Sequence, residues 1–119
     1  MYLRTLAAAL AVATLLACAS KSPAAAKSNV PPPANPNEII ILNYKFSPKT
    51  LTVSPGTTVT WFNQDIAPHT ATHRSYGDEA FDSGSLGHER SFTHTFHTPG
   101  SYDYLCVFHQ GMQGTIIVQ

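Results

Sequence analysis

At 119 residues, with 43% hydrophobic and 12% charged side chains, the chain carries apolar material for one packed core and no more. Seven Lys+Arg balance seven Asp+Glu, and neither a basic run nor an acidic tail is present, so a polyanion-binding protein and an acidic interaction tail are both excluded. The abundance of Thr, Val, Ile, Tyr and Phe, punctuated by Gly and Pro, points to β structure.

The first stretch, MYLRTLAAALAVATLLACAS, sets Arg4 ahead of an apolar run that ends at Ala17. That run falls short of the roughly 20 apolar residues a membrane-spanning helix needs, and reads as a secretory signal over residues 1–17. LLAC resembles a bacterial lipoprotein box, which makes Cys18 the expected lipidation site, with cleavage at a nearby small residue as the alternative. Residues 18–37 are rich in Ala and Pro, lack periodicity and read as a solvated tether. The folded domain is expected over 38–119.

Within that domain, Ile39 to Leu42 forms an apolar run without alternation, expected as a strand buried on both faces. Strands follow near Leu51–Val53 and Thr57–Asn63, separated by the Pro55-Gly56 turn, with Val59 and Trp61 facing the core. HTATHRS and the neighbourhood of Phe81 offer two more short strands. SFTHTFHTPGSYDYLC reads as strand, Pro99-Gly100 turn and strand, and GTIIVQ as the last strand. Seven to eight short strands with regular turn signals and no helical pattern predict an all-β Greek-key β-sandwich. By parity, Tyr102, Tyr104 and Cys106 share a face, so Cys106 points inward at a strand end.

With Cys18 lipidated or removed, Cys106 is unpaired in an oxidising compartment, which leaves a buried inert thiol, a nucleophile or a metal ligand. The run CVFHQGM spaces Cys106, His109 and Met112 three apart. A thiolate beside an imidazole suits a soft or borderline metal, and a thioether favours copper over zinc. One tight loop cannot close such a site alone. QDIAPHTAT supplies a further imidazole, His69, and the resulting donors, two His, one Cys and one Met, are those of blue-copper electron-transfer centres.

Through FSPKTLTVSPGTTVTWFNQDIAPHT and GSYDYLCVFHQGMQGTIIV the chain resembles the cupredoxins, and among them amicyanin with its plastocyanin and pseudoazurin relatives. The resemblance covers well over half of the domain. It implies one copper ion held by His69, Cys106, His109 and Met112, cycling between Cu(I) and Cu(II). It also implies electron transfer through the exposed edge of His109, inside an apolar rim of Ile66, Ala67, Pro68, Val107 and Phe108. Relatives often place Asn directly after the upstream His to tie the two ligand loops together; here the residue is Thr70, whose side chain is shorter.

The expected function is electron transport between transient redox partners in a bacterial cell envelope. The carrier would be a monomeric, lipid-anchored lipoprotein facing the periplasm or the exterior, neither an enzyme nor a nucleic-acid binder. An exported copper chaperone or buffer is the alternative. Cys106 with His109 could instead form a nucleophile–base pair, although no orienting third residue is evident. Gln110 or Gln113 could supply an oxygen donor in place of Met112. Of the other histidines, His94 falls at the core margin by parity, whereas His73, His88 and His97 are expected at the surface; together they leave a second metal site open.

Overall fold

A computed structural model describes residues 33–75 and 79–119, so the expected signal segment, Cys18 and most of the tether lie outside the described residues. The described part of the tether ends in a turn, with the Glu38 amide donating to the Asn35 carbonyl at 3.2 Å, and the first strand begins at Glu38.

Among the described residues the chain forms nine strands: β1 (Glu38–Leu42), β2 (Lys45–Ser47), β3 (Thr50–Val53), β4 (Thr57–Asn63), β5 (Thr72–His73), β6 (Phe81–Asp82), β7 (Ser91–Phe96), β8 (Gly100–Leu105) and β9 (Gln113–Val118). One sheet runs in the order β2-β1-β4-β7 and the other β3-β9-β8-β5-β6. The β1–β4 and β3–β9 pairings are parallel and the rest antiparallel. The expected all-β sandwich is therefore present, with one strand more than foreseen. The addition is β2, whose three residues are too few to show alternation.

The sandwich follows from where the apolar residues fall. β4 alternates along TTVTWFN, so Val59, Trp61 and Asn63 turn inward and are fully buried. β1 is flanked by β2 and β4, and Ile39, Ile40 and Ile41 are all buried, which accounts for its unbroken apolar run. Trp61 anchors an aromatic cluster, its ring 5.2 Å from Phe81, 5.7 Å from Phe92 and 5.4 Å from Tyr104. Burying each such large side chain stabilises the fold by roughly 1.5–3 kcal/mol. Tyr104 fits because its cross-strand partner is Gly114; a Cβ there would collide with the phenol ring. This packing sets the height of β8, and Cys106 follows two residues later.

At the opposite end of β8, Glu79 clamps the β7–β8 turn. Its Oε1 accepts from the amides of His97 (2.8 Å) and Thr98 (2.7 Å), and its Oε2 lies 3.4 Å from His94 Nε2. Burial alone would raise the Glu79 pKa, but the two amides and His94 outweigh it and hold the carboxyl below its ordinary 4.5. A lowered folded-state value means this stabilisation is complete above the ordinary carboxylate range and is lost as pH falls through the folded value. Glu79→Gln should therefore lower the thermal midpoint at pH 7, and the gap to the unmodified protein should close as acid is added. Thermal melts of both proteins between pH 7 and pH 3 read this directly.

Candidate metal centre

The end of β4 leads into the loop that presents His69, and the polar residues buried there give the loop its shape. Asn63 donates through Nδ2 to the carbonyls of Ala67 (3.0 Å) and Leu86 (2.9 Å), and accepts at Oδ1 from the Asp65 amide (2.9 Å). His69 is pinned by a two-way backbone bridge to Leu86, with N···O distances of 3.0 and 2.8 Å. Its ring is fully buried, and Nε2 sits 2.8 Å from Asp65 Oδ2. Burial of Asp65 acts to raise its pKa. The Tyr44 and Asn43 amides and His69 prevail, and the carboxyl titrates below its usual value. An ionised carboxylate only accepts, so His69 Nε2 carries the proton and the Nδ1 lone pair is left free. Burial holds the His69 ring below the ordinary histidine pKa, against the pull of Asp65, and so keeps it neutral.

That lone pair faces sulfur. Cys106 Sγ lies 3.7 Å from His69 Nδ1 and 3.4 Å from His109 Nδ1, and the three donor atoms fall within 4.8 Å of one another. With metal–nitrogen and metal–sulfur bonds of about 2.0 and 2.3 Å, a sulfur and a nitrogen donor at trigonal to tetrahedral angles stand about 3.5–3.7 Å apart. The donors are thus spaced to share one ion, and a thiolate with two imidazoles suits copper. The loop carrying Cys106 and His109 closes on itself: the Cys106 amide donates to the Met112 carbonyl at 3.0 Å, and Gly111 takes the left-handed turn at φ +82°. Met112 is buried beneath the loop. His69 and Cys106 are buried whereas His109 keeps partial exposure.

The family model of the cupredoxin-like domain matches residues 7–118. The chain belongs to the cupredoxin-like family. It is 29% identical to amicyanin-alpha of Methylorubrum extorquens over 98% of this chain and all of that one. The structure of a reduced tryptophan-to-tyrosine mutant of amicyanin superposes with a TM-score of 0.65 at 30% identity, over 69% of this chain and 80% of that one. The copper-containing nitrite reductase of Thermus scotoductus superposes at a TM-score of 0.66 and 31% identity over 82% of this chain, but the match spans a quarter of the reductase.

In this cupredoxin-like chain Thr70 ties the two loops together with its shorter side chain and its amide. Its amide donates to Cys106 Sγ at 3.3 Å, and its hydroxyl accepts from the Val107 amide at 2.9 Å. Thr72 Oγ1 lies 3.0 Å from Thr70 Oγ1 and 3.1 Å from Asp82 Oδ1, extending the polar chain into β6. A side chain no longer than threonine suffices because the two loops meet closely.

The expected apolar rim is at the surface, with Ile66 89%, Phe108 51% and Val107 41% exposed, Pro68 exposed and Ala67 half-buried. Among the described residues no second group of three or more His, Cys, Asp or Glu is placed to hold a metal ion. His94 sits at the core margin as foreseen, 5.0 Å from the Phe81 ring. His73, expected at the surface, is half-buried, because its ring packs on Phe81 and Tyr102 with Nδ1 against the Asp103 carbonyl. His88 is exposed, with Nδ1 3.0 Å from the Asp65 carbonyl, and His97 is exposed.

Sequence reasoning passed over Asn63, Asp65 and Tyr44. Asn63 left a trace, a polar residue on the inward parity of Val59 and Trp61. Asp65 and Tyr44 left none, since only the fold brings the β1–β2 turn to the site. Thr70→Val keeps the shape of residue 70 and removes the hydroxyl. It should leave the Val107 amide without its acceptor, cost about 1–3 kcal/mol of stability and weaken metal binding about tenfold. Chemical denaturation and a competitive metal titration measure the two effects.

Proposed function

We propose that the chain is a single-copper electron carrier, tethered to a bacterial envelope membrane through a lipidated Cys18 and exchanging electrons with transient protein partners. The observation that carries the reading is the trio of donor atoms, with sulfur 3.4 and 3.7 Å from two imidazole nitrogens. A copper ion bound there supplies one-electron chemistry between Cu(I) and Cu(II).

The protein's own part is to keep the donors still. His69 is fixed by Asp65 and its backbone bridge, and Cys106 by the Thr70 amide and the closed loop. Ligands held this way move little when the charge at the site changes, which favours fast transfer. Met112, buried on the same loop, would be the fourth donor, which would leave no position open for a substrate and argues against an enzyme. His109 reaches partial exposure among apolar neighbours, and small apolar faces suit brief, weak docking.

Copper-loaded protein should show an intense thiolate-to-copper absorption band and narrow copper hyperfine splitting. Cys106→Ala should lose both. Met112→Leu should keep the band and raise the midpoint potential, since one donor to the higher-charged ion is gone. A protein that stays colourless with Cu(II) would overturn the proposal.

A further inference from the structure

His69 has a carboxylate to orient it; His109 does not. Among the described residues the one polar contact of its ring is Nδ1 to Cys106 Sγ. Its orientation rests on ring packing, against His69 at 4.7 Å and Tyr44 at 4.8 Å, with Phe108 farther off at 6.5 Å. His69 is itself a proposed ligand, so Tyr44 is the near ring that stands outside the donor set. Tyr44 meets both imidazoles edge to face, His109 at an interplanar angle of 86° and His69 at 84°.

The backbone beneath Tyr44 is unusual. Asn43 and Tyr44 form the two-residue connection between β1 and β2, both left-handed, at φ 54° and 59°. Such turns favour Asn first and Gly second, and a bulky aromatic in the second place is disfavoured. Asp65 holds it there by accepting from the Asn43 amide at 2.8 Å and from the Tyr44 amide at 2.9 Å. The residue remains 54% exposed, so core burial does not account for its place. It lines one depression with Ile66 and Ala67 and another with Gly111 and Met112, and so stands between the two ligand loops.

We propose that Tyr44 is a positioning residue, an aromatic cap that holds His109 in its ligating orientation and slows the loss of bound metal to solvent. The proposal rests on the copper reading above. Ring contact accounts for the effect and the hydroxyl does not, so Tyr44→Phe should behave as the unmodified protein. Tyr44→Gly suits the left-handed turn, so the metal-free protein should melt no lower than the original. Tyr44→Asn, which tolerates the same backbone, is a second ringless variant.

In both ringless variants, Cu(II) should pass to excess EDTA roughly three- to tenfold faster, the range expected for losing one aromatic pair. In metal-free protein, the His109 ring-proton resonances should shift in the ringless variants and hold their positions in Tyr44→Phe. Unchanged metal loss without the ring, or equally fast loss from Tyr44→Phe, would overturn the proposal. If the unmodified protein takes up no copper, the electron-carrier reading falls, while the metal-free resonances still decide whether Tyr44 holds His109.

Discussion

Two hydrogen bonds from one small residue bring the halves of the metal centre together. Thr70 gives its amide to the sulfur of Cys106, 36 positions along the chain, and takes the amide of Val107 on its hydroxyl. To the pairing of Thr72 with Leu105, which already brings the two segments side by side, they add a direct tie between the His69 loop and the Cys106 loop. A net hydrogen bond contributes only about 1 kcal/mol to stability, but its geometric effect here is larger than that figure suggests. It fastens the His69 loop to the sulfur itself, beyond what the strand pairing beside it holds.

Asp65 has a comparable place on the other side of the centre. One carboxylate fixes the tautomer of His69 and collects both amides of the β1–β2 turn. The site is thus braced by two side chains, Thr70 toward β8 and Asp65 toward β1. Both flank His69 on the loop that leaves β4, whose own shape comes from Asn63. The aromatic core around Trp61 and Tyr104 supplies the rigid base for this arrangement.

How much of this was legible in the sequence depended on distance along the chain. Cys106 and His109, three residues apart, announced themselves because sulfur and imidazole at that spacing have few other uses. The strands with clean alternation, such as Thr57–Asn63, were readable because burial of one face imposes a period of two. β2 escaped because three residues cannot display a period. Asp65 and Tyr44 escaped because their roles exist only after β1, β2 and β4 pair. His73 misled for a related reason: β5 has two residues, and the aromatic neighbours that bury its ring come from β6 and β8.

The bond from the Cys106 amide to the Met112 carbonyl seals the base of the ligand loop, and the β8–β9 ladder begins directly below it at Leu105 and Gln113. Between those anchors the segment is held from outside only at its first half, by Thr70 on Cys106 and Val107 and by the Tyr44 and His69 rings on His109. Residues could be added or removed around Gln110 and Gly111 without moving the register of the hairpin that carries them. A change of length there would therefore move His109 against its neighbouring rings while the strands beneath keep their pairing.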